Sequence, residues 1–108
     1  MINLWVALSD CGEDAPGLEI VPWRLNEIVP PGTHESHFQW SVGHGKVVEL
    51  ASGRSLSSPA FKAGDAMLFD HLCLHRTGVK AGMTRGRHAL ETWMFAPSTY
   101  PDTAPLII

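Results

Sequence analysis

Apolar positions along the chain fall into short runs separated by turn formers. Ile2–Leu8 is a short apolar run and reads as a buried strand. Ser9–Gly17 is dense in turn residues and reads as a loop. Leu18–Val21 is a strand stopped by Pro22, and Trp23–Val29 suits a helical turn or two before Pro30-Pro31-Gly32 ends it. Thr33–Gly45 is irregular, Lys46–Ala51 reads as a strand, and Ser52–Ser58 is a polar loop. After the Gly64-Asp65 turn, Ala66–Phe69 and Leu72–Thr77 are strands. A loop holding Gly78, Gly82 and Gly86 leads to the longest strand candidate, Arg87–Ala96, and residues 97–108 form an irregular, Pro-rich tail. Five or six strands at this spacing, with one short helix, predict an all-β, mainly antiparallel barrel or sandwich.

Alternation sets the side-chain directions. Cys73, His75 and Thr77 share one face of their strand; Arg87, Ala89, Glu91, Trp93 and Phe95 share one face of theirs. A histidine and an arginine on neighbouring strands are thus expected to point into one barrel. An arginine among apolar neighbours needs an anionic partner to offset its desolvation, and a carboxylate matches its fork.

Composition agrees with one small globular domain spanning residues 1–108. Apolar residues make up 44% of the 108, and ten glycines with eight prolines favour short strands over long helices. The length excludes a two-domain enzyme, and no apolar run nears the roughly 20 residues that span a bilayer. The net charge of −3 implies no nucleic-acid partner. Charge is uneven: residues 1–53 hold seven acids and two bases, residues 54–108 four acids and six bases. The second half therefore suits a small anion, although ordinary surface scatter gives the same imbalance. Cys11 and Cys73 match no metal spacing and read as free thiols in a reducing cytoplasm, with no signal-peptide pattern at Met1-Ile2-Asn3-Leu4.

Few residues offer chemistry. His75 reads either as a ligand for iron or zinc or as a core histidine bonded to a backbone carbonyl. Arg87 reads either as a clamp for a substrate carboxylate or as an exposed strand-end arginine, with Arg85 as its solvated rival. His34 and His37 form an H-x-x-H that suits a metal or simply a polar loop. His44, His71 and His88 lack partners at useful spacing, Asp70-His71 reads as turn chemistry, and Glu91 is expected to pair with an arginine inside the sheet. No phosphate loop, nucleophile elbow or CxxC is present. A mononuclear iron site takes two histidines and a carboxylate, commonly with a His-x-Asp or His-x-Glu on one strand. The residues two past each histidine here are Ser36, Gln39, Lys46, Cys73, Thr77 and Leu90.

Lys62-Ala63-Gly64-Asp65-Ala66-Met67-Leu68-Phe69-Asp70, then Leu74-His75-Arg76-Thr77-Gly78, then Arg87-His88-Ala89-Leu90-Glu91-Thr92-Trp93 form an ordered set. With Asn3-Leu4-Trp5-Val6-Ala7-Leu8 and Gly17-Leu18-Glu19-Ile20-Val21-Pro22, the set resembles the phytanoyl-CoA dioxygenase family across residues 2–95. Trp23-Arg24-Leu25 departs from the Gly-Ser-His usual after that proline. The resemblance implies an Fe(II)- and 2-oxoglutarate-dependent oxygenase on a double-stranded β-helix, a jelly-roll or cupin-like barrel. It implies that His75 is the distal metal-binding histidine, that Arg87 binds the distal carboxylate of 2-oxoglutarate, and that Thr77 lines the same pocket. Family members are more than twice as long, with their His-x-Asp upstream. The expectation is therefore the C-terminal portion of an enzyme that hydroxylates a small organic substrate.

Two other readings stand beside it. One is a complete cupin-like barrel binding metal or ligand through His75, His34 and His37. The other is a non-catalytic remnant that self-associates through an exposed sheet edge.

Overall fold

The computed structural model describes residues 1–32, 36–39 and 41–99, so His34 and the tail beyond residue 99 lie outside the described residues. Strand β1 (Ile2–Ala7) shows why its sequence forms an edge of the core: Asn3, Trp5 and Ala7 are buried, whereas the alternate residues are half-buried or exposed. It is therefore buried on one face only, where the apolar run had suggested burial on both. Strand β2 is Gly17–Ile20, helix α1 is His44–Ala51, β3 is Ala66–Asp70, β4 is His75–Gly78 and β5 is Ala89–Met94; Pro97–Thr99 make a 3-10 turn. All strand pairs are antiparallel. One sheet has the order β3-β1-β5 and the other is β2-β4. In the first, Asn3 stands opposite Phe69 and Trp93; in the second, Ile20 stands opposite His75 and Leu18 opposite Thr77.

The main core joins both sheets. Trp5 and Ala7 of β1 pack with Leu18 and Ile20 of β2 and with Cys11, Ala15 and Phe61. The Trp5 and Phe61 rings meet at 4.9 Å. A second cluster of Val21, Leu25 and Leu72 takes Val47 and Leu50 from α1 and Leu56 and Leu74 from the loops.

Two expected elements are corrected. Lys46–Ala51 is helical, as part of α1. Val47, Leu50 and Ala51 follow a helical spacing that gathers the apolar side chains on one face, whereas alternation would have put Glu49 among them. Lys46 pairs with Glu49 at 2.8 Å on the polar side, and Ser52, with φ 49°, closes the helix by donating its backbone N–H to the Glu49 carbonyl. Trp23–Val29 forms no helical turn. Its backbone is already engaged elsewhere: the Leu25 N–H donates to the Leu72 carbonyl at 2.9 Å, and the flanking Val21 N–H to that of Leu74 at 3.0 Å. The single α-helix of the described residues is thus α1.

Strand limits also shift. Residues 71–74 turn before β4 begins, because the Asp70 carboxylate accepts the Leu72 N–H at 2.9 Å and the Asp70 carbonyl accepts that of Cys73. Arg87 and His88 precede β5. His88 is held there by the Ser9 hydroxyl oxygen, which accepts its N–H, and by its own carbonyl, which accepts the N–H of Leu8. No helix among the described residues is long and apolar enough to cross a membrane.

Candidate functional site

β4 and β5 lie in different sheets, so His75 and Arg87 are not on neighbouring strands as expected. Arg87 nevertheless reaches β4. Its Nη2 donates to the Thr77 hydroxyl oxygen at 3.3 Å and its Nη1 to the Gly17 carbonyl at 3.0 Å. The guanidinium lies 5.7 Å from the centre of the Trp5 ring, in cation–π range.

The local fold explains this position. The carbonyl that holds Arg87 belongs to Gly17, where a Cβ would come within 2.7 Å of the Gly12 Cα. Gly12 itself has φ 99°, and a Cβ there would run into the Pro59 carbonyl. The loop before β2 is therefore packed backbone against backbone. Asp14 ties the same loop to the segment leading into Arg87, accepting from the Thr84 hydroxyl at 3.0 Å and from Arg85 Nε at 3.1 Å. The Thr84 hydroxyl and amide, and then Arg85, hold the Asp14 carboxyl below its usual range.

The other arginines are engaged. Arg24 pairs with Asp70 at 2.7 Å, Arg76 with Glu19 at 2.6 Å, Arg85 with Asp14, and Arg54 stacks over Trp23. Arg85, the rival candidate, is thereby an exposed structural partner of Asp14. Arg87 is half-buried, and among the described residues no carboxylate lies within ion-pair distance of it.

His75 begins β4 and is half-buried. Its Nδ1 lies 2.9 Å from the Cys73 carbonyl, which only accepts, so Nδ1 carries a proton and Nε2 is the ring nitrogen left for a ligand. The ring meets Phe69 edge-on at 4.5 Å. The same geometry serves a core histidine and an oriented ligand. His75 and Thr77 line a cavity of about 690 Å³ together with His37, His44 and Val47.

Among the described residues, no three of His, Cys, Asp and Glu are placed to hold a metal ion. An iron site needs two imidazoles and a carboxylate, so the described residues do not fit one on their own. His37 is exposed, His44 opens α1, His71 sits in a turn and His88 precedes β5. The H-x-x-H pairing with His34 lies outside the described residues.

Asp70-His71 does turn chemistry, as read, and Asp70 also binds Arg24, whose guanidinium holds its carboxyl below the usual range. Glu91 differs from expectation: it accepts from Asn3 Nδ2 at 2.6 Å and Trp93 Nε1 at 3.3 Å, and pairs with no arginine among the described residues. Asn3 went unnoticed as a site residue. Its signal was a lone polar side chain on the core-facing parity of an apolar strand. Burial raises both thiols, with Arg87 opposing the rise at Cys11.

No family model matches the chain, and no curated protein or solved structure matches it.

Proposed function

We propose that the chain is the C-terminal portion of an Fe(II)- and 2-oxoglutarate-dependent oxygenase of the phytanoyl-CoA dioxygenase type, built on a jelly-roll barrel and acting on a small organic substrate. One observation carries this reading. Arg87 is a half-buried guanidinium that rests on a hydroxyl, a carbonyl and an aromatic face, with no carboxylate of its own among the described residues. Such a group is stabilised by a carboxylate supplied from outside, here the distal carboxylate of 2-oxoglutarate. Thr77 keeps its own hydroxyl proton to donate to that carboxylate. The reading gives His75 Nε2 the metal and assigns the other ligands to residues other than these 108. A reducing, cytoplasmic setting goes with it, supported by the free thiols Cys11 and Cys73.

Calorimetric titration with 2-oxoglutarate tests the clamp. Saturable binding that weakens tenfold or more in Arg87→Gln and a few-fold in Thr77→Val is expected, since a charge-assisted pair contributes about 1.5–3 kcal/mol. Absence of binding in the wild type, or equal binding by Arg87→Gln, overturns the reading.

A second reading is a small cupin-like barrel that holds metal or ligand through histidines. The cavity shared by His37, His44 and His75 supports it. Stoichiometric metal retained by the purified chain, and lost in His75→Ala, favours this reading over the first.

A further inference from the structure

Asn3 is the one buried polar or charged residue among those described, at 3% exposure. Its Nδ2 donates to Glu91 Oε1 at 2.6 Å. A carboxylate oxygen only accepts, so the amide cannot be turned the other way, and Oδ1 is fixed as the remaining atom. That oxygen is buried and has no hydrogen-bond partner. Native proteins rarely leave a buried acceptor unpaired, because the desolvation is then uncompensated.

The neighbours repeat the same shortage of donors. Glu91 Oε1 takes both the Asn3 and Trp93 bonds, which leaves Oε2 open. No Lys, Arg or His among the described residues lies within ion-pair distance of Glu91. Asn3, Phe69 and Trp93 are opposite one another across three strands, so two aromatic rings flank the amide on one face of the sheet. Trp93 is 61% exposed and its bond to Oε1 is the longer of the two, so its indole is the member that an incoming group displaces most readily.

We infer that Asn3 Oδ1 and Glu91, flanked by Phe69 and Trp93, form a subsite for the ammonium group of a small organic cation. An alkylammonium brings donors only and one positive charge, matching two acceptors, one unbalanced negative charge and aromatic faces that attract cations. Water satisfies the amide oxygen and hydrates the exposed Glu91 carboxylate but brings no positive charge. A calcium or magnesium ion needs six or more oxygen ligands, which this cluster does not supply. The subsite is distinct from the Arg87 clamp and does not depend on it. Arg87 is half-buried and Glu91 exposed, four positions apart along the chain, and among the described residues neither has an ion-pair partner.

The test is an amide and indole NMR titration of the whole chain with butylammonium chloride, with 1-butanol at equal ionic strength as the neutral control. Saturable movement of the Trp93 indole and Asn3 side-chain signals with the ammonium alone supports the site. Glu91→Gln keeps an oxygen for both existing bonds but removes the charge, and should weaken the ammonium response by about tenfold or more. No saturable shift in the wild type, an equal response to butanol, or undiminished binding by a folded Glu91→Gln overturns it. The wild-type comparison of ammonium with alcohol decides the matter if the variant does not fold.

Discussion

Asp14 shows how much one carboxylate does here. It accepts from the amide and hydroxyl of Thr84 and from Arg85, joining two loops that are distant in sequence. These partners hold its carboxyl low, as the Ala63 amide does for Asp10 and Arg24 for Asp70. A carboxyl lowered by folding binds its proton less readily folded than unfolded. Its contribution is therefore present above the usual carboxylate range and is lost as pH falls below about 4. Thermal melts of the wild type should fall steeply from pH 5 to pH 2.5 (roughly the titration range of depressed carboxyls). Asp14→Asn should melt lower at neutral pH and lose less on acidification; an unchanged acid dependence would count against this role. Gly12 makes a conformational demand instead. Gly12→Ala meets both a positive φ and the Pro59 carbonyl, and should cost about 2 kcal/mol or more in denaturant unfolding.

At the scale of elements, α1 is held by few side chains, and they can be told apart. Leu50→Ala removes packing against the Val21–Leu25–Leu72 cluster and should cost about 1–3 kcal/mol by chemical denaturation, the lower part of the range for a half-buried leucine. Val48 is 54% exposed, and Val48→Lys should be nearly neutral. This contrast explains why α1 was illegible: its paired valines favour a strand locally, and only the packing of Val47 and Leu50 selects the helix. The backbone between Trp23 and Val29 was misread for the converse reason, since partners at Leu72 and Leu74 leave no local trace. β1 and β3 were legible because a short apolar run and the Gly64-Asp65 turn are local signals; Asp65 closes that turn by accepting the Lys62 N–H at 2.7 Å. Arg87 and Thr77, singled out by spacing and resemblance, do meet. The Asn3–Glu91 pair joins positions 88 apart, and no local pattern announces such a contact.

For the whole molecule, the outer side of the three-stranded sheet is the exposed apolar surface that stands out. Ile2, Leu68, Leu90 and Met94 are 46%, 64%, 55% and 45% exposed, around the half-buried Leu4 and Val6. Register places them side by side on one face. An apolar face of this kind favours self-association. Sedimentation should show concentration-dependent association that the double variant Leu68→Lys, Leu90→Lys reduces, together with binding of a hydrophobic dye; identical sedimentation of the two proteins would argue against it. The central place of β1 has a kinetic side. This strand leaves the ribosome before either neighbour exists, and its last partner, β5, follows almost a whole chain later. Its ladder to β3 can close once residue 70 is made, but the ladder to β5 waits for residue 94, so the sheet is completed late, through long-range pairing that makes folding slow. Until β3 has emerged, Ile2–Ala7 is an unpaired, mainly apolar strand, the stretch on which a nascent copy most easily goes astray.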